Sequence, residues 1–405
     1  MKILLVSHEF FLDGASHHGG IATYTKTIAQ LLKKYGHQVC VATLSYDLND
    51  TVWWEGIRVE RIRVPAYAYK LKNVLHSKVG EYLLGAWLIR QRIRRLSKTW
   101  RPDLVHYANF KSVGFFRTNR IPAIVRLSSD NVLWREAHKK DYRIENAYSR
   151  MTLEDRMELF TVKHADSVFA PSNFVAELTA RRLKIPVRVI ESPVSDNVEE
   201  LPAAELPEVL QRQRYVLYFG ALSRAKGTHL FLPIMKDILK ECPDCLFVFI
   251  GHDYGMRTGP VKQLFADCLK ESAGRFGDRV LYMDFQSPHL LRPIIRQAAC
   301  CVFPSRVDNL PNTCLEAMSL EVPVIGTKGA SFEQLIHDGV SGLLIEIDNA
   351  DQLRNAVMQV LLMSEEDRAK MGAQAKMRVE RNNGFTIAKE LTAFYQEVVN
   401  QHEQK

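Results

Sequence analysis

Asp308 and Glu316 stand eight residues apart in the stretch 302–329, which reads V-F-P-S-R-V-D-N-L-P-N-T-C-L-E-A-M-S-L-E-V-P-V-I-G-T-K-G. The apolar run ends at Pro304-Ser305, a polar loop follows, and a helix is expected to begin at Asn312 or Thr313. A helix start offers unpaired N–H groups and the positive end of a dipole, which suits a diphosphate. A carboxylate beside a phosphate has other work to do, and accepting hydrogen bonds from sugar or ribose hydroxyls is the natural one. Two plainer readings stay open. Thr313-x-x-Glu316 also spells a capping box, and Asp308 fits a solvated turn. A second cluster, G-A-L-S-R-A-K-G at 220–227, carries Arg224 and Lys226 between two glycines. Without a general base in sight, such cations would neutralise a departing phosphate; the alternative is an ordinary turn with exposed basic side chains. The spacing G-x-x-x-x-G-K-[ST] is missing here, and so is G-x-G-x-x-G, which argues against a Walker loop and a dehydrogenase.

These residues need strand ends and helix starts to hold them. Residues 2–7 (K-I-L-L-V-S) read as a strand buried on both faces. Gly19 and Gly20 follow in a loop, residues 21–35 repeat apolar positions at helical spacing, and 37–43 form the next strand. That order implies a βαβ unit with a parallel sheet. Later strands are expected at 104–106, 123–127 and 167–170. A second start appears at 215–219, followed by the loop 220–227, an amphipathic helix over 228–241, and strands at 246–251, 280–283 and 300–304. Residues 192–212, with three prolines and five acids, read as a linker. Two α/β domains joined near residue 200 are the expected architecture, and ligands of such sheets bind at the carboxyl ends of the strands.

Composition narrows the class. The 405 residues are 46% hydrophobic and 25% charged, which excludes disordered, collagen-like and disulfide-scaffold chains. No apolar run approaches the roughly 18 residues of a membrane span, and the N-terminus lacks a signal peptide, so a cytoplasmic setting is expected. The seven cysteines are irregularly spaced. The lone pair Cys242 and Cys245 lacks the second ligand pair a zinc site needs, and the histidines give no metal-ligand spacing, so no metal is expected. The net charge of +8 is uneven: residues 51–150 hold 21 basic side chains against 8 acidic ones. A basic first half attracts polyanions. Within it, residues 88–101 place Leu88, Ile89, Ile93, Leu96 and Trp100 on one helical face opposite Arg90, Arg92, Arg94 and Arg95. That pattern fits a surface helix covering a sheet, or docking on an anionic membrane.

The motifs resemble the retaining, GT-B-fold glycosyltransferases of family 4 along nearly the whole chain. D-N-L-P-N-T-C-L-E-A-M-S-L-E-V-P-V-I-G-T is similar to that family's E-x(7)-E signature, with Asp308 in place of the first glutamate. The resemblance implies that Glu316 binds the nucleotide ribose, that Asp308 contacts the donor sugar, and that Leu310, Pro311, Asn312 and Thr313 offer backbone to sugar and diphosphate. Y-F-G-A-L-S-R-A-K-G resembles G-R-L-x-x-x-K-G, which puts Gly220 and Lys226 on matched positions and Ala221 where the family has arginine; Arg224 is a candidate substitute. H-H-G-G-I-A-T-Y matches the glycine-rich loop after the first strand, making Gly19 and Gly20 donor-side candidates. P-D-L-V-H resembles a family strand end and brings in His106. P-A-I-V-R-L-S-S-D stands where the family often has a functional histidine; Ser128 replaces it, with Arg126 and Asp130 nearby. These four are acceptor-side candidates.

The implied fold is α/β, with two Rossmann-like parallel-sheet domains facing a cleft. An acceptor-side domain is expected over 1–195, a linker over 196–212, a nucleotide-sugar domain over 213–385, and a C-terminal helix over 386–405 packing back on the first domain. The implied activity is metal-independent transfer of a sugar, with retention, from a nucleotide-diphosphate sugar (UDP ahead of GDP). Lys226, Arg224, Asp308 and Glu316 would be its catalytic set. The acceptor would be a glycan or lipid-linked hydroxyl in polysaccharide or glycolipid synthesis, such as lipopolysaccharide or capsule, at the inner face of the membrane. No cofactor and no nucleic acid are expected. A nucleotide-sugar epimerase or a degenerate polyanion- or nucleotide-binding protein is the alternative.

Overall fold

The computed structural model describes residues 1–10, 12, 19–66, 78–128, 130–194, 205–258 and 261–404. The chain divides into two compact units. Unit 1 comprises Met1–Leu133, Ile144–Pro193 and Gly384–Lys405, and unit 2 comprises Trp134–Arg143 and Val194–Asn383.

Unit 1 is built on an eight-stranded sheet in the order β3-β4-β2-β1-β5-β6-β7-β8. Its strands are β1 (Lys2–Ser7), β2 (Gln38–Ser45), β3 (Asp50–Trp54), β4 (Ile57–Arg63), β5 (Leu104–Ala108), β6 (Ala123–Arg126), β7 (Ser167–Ala170) and β8 (Arg188–Val189). All pairings are parallel except β3 with β4. The central strands are apolar runs because helices cover both faces. On one face, Ile28, Leu31 and Leu32 of α1 (Gly20–Lys34) pack with Ile387, Leu391, Phe394 and Tyr395 of the C-terminal helix Gly384–Glu403. On the other, Ile89, Ile93 and Leu96 of α2 (Val79–Thr99) pack against Val105 and Val125.

The amphipathic face of α2 is therefore part of the core and is not available to a membrane. Arg92 on the same helix is drawn in, ion-paired with the buried Glu60 and donating to Asn49 Oδ1 at 3.0 Å. Arg94 and Arg95 remain exposed, so α2 presents positive charge to solvent but little apolar area. Among the described residues, no helix is long and apolar enough to cross a membrane. Helices α4 (Leu153–Lys163) and α5 (Asn173–Leu183) complete the non-terminal part of the unit, and α3 (Asn131–Glu136) starts in it and ends in the segment assigned to unit 2.

Unit 2 carries a six-stranded sheet in the order β13-β10-β9-β14-β15-β16, parallel throughout. Its strands are β9 (Arg214–Phe219), β10 (Cys245–Ile250), β13 (Val280–Met283), β14 (Cys300–Phe303), β15 (Val324–Thr327) and β16 (Leu343–Ile345). A two-stranded ribbon of β11 (Met256–Thr258) and β12 (Val261–Gln263) stands outside it. Helices α6 (Met235–Glu241), α7 (Phe265–Ala273) and α10 (Ala350–Leu362) cover one face; α8 (Pro288–Gln297), α9 (Asn312–Ser319) and α11 (Glu365–Glu380) cover the other. The seven cysteines are free and buried in the two units, consistent with thiols used as small apolar groups.

Three differences from the sequence reading have local causes. Residues 228–241 are not one helix: a 3₁₀ turn, Thr228–Phe231, precedes α6, and Pro233 lies between them. Proline lacks the N–H and collides with the carbonyl four residues back, so the helix starts after it. Trp134–Arg143 belongs with unit 2, although the expected first domain ran unbroken over 1–195. The expected linker over 196–212 falls partly outside the described residues; its later part forms the 3₁₀ turn Glu208–Leu210, and Leu210 is buried in the core of unit 2.

The C-terminal helix supplies a whole wall of the unit 1 core. Leu391→Ala, at a fully buried position, should cost about 2–5 kcal/mol. A urea midpoint unchanged from wild type would show that the helix does not hold that wall.

Candidate functional site

In unit 2 the strand order reverses at β9, which has β10 on one side and β14 on the other. Crevices outside the carboxyl ends of strands form at such points. The loops after β9 and β14 meet there. Gly220, with φ +135°, follows β9, and a Cβ on it would lie 3.8 Å from Thr313 Cγ2. Backbones crowd closely around it: a Cβ on Gly251 would fall 2.2 Å from Gly220 O, and one on Gly227 would fall 1.7 Å from Pro304 O. Arg224–Lys226 is a 3₁₀ turn whose preceding Ser223 accepts from Lys226 N at 3.3 Å. The Lys226 ammonium forms an ion pair with Asp308 and lies 5.3 Å from the ring centroid of Trp134. Asp308 Oδ1 also accepts from Asn309 N at 3.0 Å, and Ser331 Oγ donates to Asp308 O at 2.9 Å.

Helix α9 begins at this junction. Pro311 is its N-cap residue and no side chain caps it, so the capping box that Thr313 and Glu316 could have formed is not made. Pro311 O accepts from Cys314 N at 3.0 Å and Leu315 N at 3.2 Å. The N–H groups of Leu310, Asn312 and Thr313 have no protein acceptor among the described residues. Pro311, expected among the donor-binding residues, has no N–H to give; its part is to set the turn and accept from the helix. The Glu316 carboxylate has no hydrogen-bond partner among the described residues either. Surrounding protein pushes its carboxyl up, to about 7, and Arg292 opposes that rise. Glu316 is nonetheless an exposed residue, so solvent blunts the push.

Arg224 faces a neighbouring charge cluster rather than the Lys226–Asp308 pair. Burial and the Arg306 guanidinium lower its pKa, and Asp348 counters them. Arg306 is buried, reaches Asp348 Oδ1 at 2.7 Å, and donates to Ala137 O at 3.0 Å and Lys139 O at 2.5 Å. These bonds hold residues 134–143 on unit 2 and thereby deliver Trp134 to Lys226. Neither Arg306 nor Trp134 was singled out by sequence reasoning. Arg306 precedes the Asp308 motif by two residues, a proximity that could have flagged it; nothing in the sequence around Trp134 marks its destination.

Unit 1 gathers some of the acceptor-side candidates at the carboxyl ends of its own strands. His106, Arg126 and Ser128 line one recess with Tyr24 and Thr25. His106 is buried, with Nδ1 2.8 Å from Tyr395 Oη and the rings of Tyr24 and Phe169 around it. Arg126 stacks on Tyr24, 3.5 Å from the ring centroid, and donates to Ser128 Oγ and Ser192 Oγ at 3.0 Å each. Asp130 does not join them. It accepts from Leu133 N at 2.9 Å and from the Tyr148 hydroxyl, and lines a second recess with Glu158 and Arg182. Gly19 and Gly20 open α1, but the helix start is occupied: Glu9 Oε1 accepts from Ala22 N at 3.1 Å, and a Cβ on Gly19 would come within 2.5 Å of that oxygen. The glycine is thus needed to admit Glu9. His17 and His18 of the same loop lie outside the described residues. Among the described residues no group of His, Cys, Asp and Glu side chains is arranged to hold a metal ion.

Two family models match the chain, "Glycosyl transferase 4-like domain" over residues 19–192 and "Glycosyl transferases group 1" over residues 205–378. The chain belongs to the GT-B glycosyltransferases of family 4. Across 98% of its length it is 23% identical to spore coat protein SA of Bacillus subtilis, covering 99% of that protein. Sucrose-phosphate synthase from Thermosynechococcus elongatus shares the fold with a TM-score of 0.78 at 20% identity, with 99% of each chain covered. Anabaena HepE in complex with UDP-glucose does so with a TM-score of 0.67 at 16% identity, covering 98% of this chain and 100% of that one.

This glycosyltransferase keeps His106 out of solvent, and that has a pH signature. Burial and nearby Arg126 push the imidazole down to about 3, whereas an unfolded histidine titrates near about 6.5. Between those values the unfolded chain binds a proton that the folded chain refuses, so stability is full above about pH 6.5 and lost on acidification. The loss from this group should approach about 1.4 kcal/mol per pH unit. Urea unfolding at pH 7, 6 and 5 should therefore fall more steeply for wild type than for His106→Gln. Parallel curves would contradict the assignment.

Proposed function

We propose that unit 2 binds a nucleotide-diphosphate sugar at the mouth of β9 and β14, and that the enzyme transfers the sugar with retention. The observation carrying this reading is that, among the described residues, the Glu316 carboxylate has no hydrogen-bond partner and the N–H groups of Leu310, Asn312 and Thr313 have no acceptor, on the loop and helix start that also bring Asp308 to the Lys226 ammonium. A carboxylate for ribose hydroxyls, N–H groups and a cation for the diphosphate, and Asp308 for the sugar account for each group. UDP is proposed ahead of GDP, supported by the fold likeness to HepE in complex with UDP-glucose. The basic first half favours a glycan or lipid-linked acceptor that carries negative charge, in polysaccharide or glycolipid synthesis at the inner face of the membrane.

In the reaction, the bond from the anomeric carbon to the β-phosphate oxygen breaks as the acceptor oxygen bonds to that carbon on the same face. The acceptor proton passes to the departing phosphate oxygen. Negative charge grows on the diphosphate, so Lys226 and the start of α9 act by electrostatic stabilisation. Lys226 reaches this role by exchanging Asp308 for phosphate, which frees Asp308 for the sugar hydroxyls. Arg224, two residues away, adds a second positive charge at longer range.

Purified enzyme should turn over one class of nucleotide sugar, by transfer or slow hydrolysis, with excess EDTA present. Glu316→Ala should lower kcat/KM about 10- to 100-fold or more while leaving the melting temperature near wild type. Undiminished turnover in that variant would remove Glu316 from the site. Abolition by EDTA would overturn the metal-independent reading alone.

A further inference from the structure

Arg126 is buried, 6% exposed, at the end of β6. A charged guanidinium in such a place normally has a carboxylate, because an uncompensated buried charge costs several kcal/mol. Among the described residues none is paired with it. Its neighbours are the Tyr24 ring and hydroxyl, Tyr395, Ser128 Oγ and Ser192 Oγ, all formally neutral, and Nε has no acceptor among the described residues. His106, which lines the same recess, has its pKa pushed down by burial and by Arg126, so it adds no negative charge. The buried Glu60 of the same unit, by contrast, has both Arg58 and Arg92. Arg126 lines the recess at the carboxyl ends of β1, β5 and β6.

The enclosed part of that recess has room for about one water molecule. A whole sugar does not enter it, whereas a single oxygen of a larger anion does. Ser128, Thr25 and Tyr24 place hydroxyl groups around the same space. We infer that the recess receives one carboxylate or phosphate oxygen of the acceptor, so that the acceptor is an acidic or phosphorylated glycan. The oxyanion supplies the counter-charge that Arg126 lacks among the described residues. The word acceptor rests on the transferase reading above; the oxyanion site does not.

Thermal unfolding of the full chain tests this in sodium phosphate, sodium glucuronate and sodium chloride of matched ionic strength. Wild type, Arg126→Met and Arg126→Lys are compared, with UDP as a separate addition. Wild type should gain about 2 °C or more over chloride in one of the two oxyanions. Glucuronate ahead of phosphate names a carboxylate, and the reverse names a phosphate. Arg126→Met should lose that gain yet melt no lower than wild type in chloride, because it removes a buried charge that has no carboxylate among the described residues. Arg126→Lys, which keeps the charge without the planar fork, should retain part of the gain. Absence of any oxyanion response in wild type overturns the site. A melt lowered by several degrees in Arg126→Met with the gain intact also overturns it and makes Arg126 a packing residue. If UDP shifts none of the three while the oxyanion gain still depends on Arg126, the site stands and the transferase reading falls, taking the acceptor assignment with it.

Discussion

The ion pair between Lys226 and Asp308 ties the loop after β9 to the loop after β14. It is the contact on which the geometry of unit 2 turns. Each partner comes from the carboxyl end of a different strand, and the two strands are adjacent only because the sheet reverses its order at β9. The pair is partly open to water, with side-chain exposures of 24% and 14%, so its net contribution to stability is modest. Its consequence is positional. It holds the side chains of Lys226 and Asp308 together at the mouth of β9 and β14. The glycines around it permit this closeness: Gly227 and Gly251 have positive φ and approach backbone oxygens more tightly than any Cβ allows.

The two units handle charge in different ways. Unit 1 holds most of the basic excess, yet much of it is structural. Arg92 and Arg58 neutralise the buried Glu60, Lys111 pairs with Glu81, and Arg117 pairs with Asp166. Arg126 stands apart as a buried cation with no carboxylate paired to it among the described residues. Unit 2 is nearly balanced in sequence, and Lys226, Arg224 and Arg306 lie on the loops after β9 and β14. The Arg306 guanidinium satisfies carbonyls of residues 134–143 and the Asp348 carboxylate together, and a chain segment from the first half of the sequence is thereby fixed beside Lys226.

How much of this could be read in advance depended on the range of the interaction. The parallel strands were legible because residues buried on both faces must be apolar over four to six positions, as in β1, β9 and β14. The Asp308–Glu316 spacing was legible because a strand end, a loop and a helix start are consecutive in the chain. The helix expected over 228–241 failed on one proline whose effect outweighed the apolar periodicity. The occupied start of α1 was hidden because Glu9 lies 13 residues before Ala22 and belongs to no local pattern. Asp130 was placed with Arg126 by nearness in sequence, but a turn sends it to Tyr148 and the opening of α3 instead. The docking of residues 134–143 on unit 2 rests on a contact more than 160 positions apart, and no spacing rule reaches that far.

The central claim is that Lys226 serves the diphosphate and Glu316 the ribose. Calorimetric titration of wild type and Lys226→Met with UDP and with uridine separates these roles. The account predicts that Lys226→Met weakens UDP binding about tenfold or more, the worth of a hydrogen bond to a charged group, and leaves uridine affinity unchanged. Equal losses for both ligands, or no loss for UDP, would contradict it.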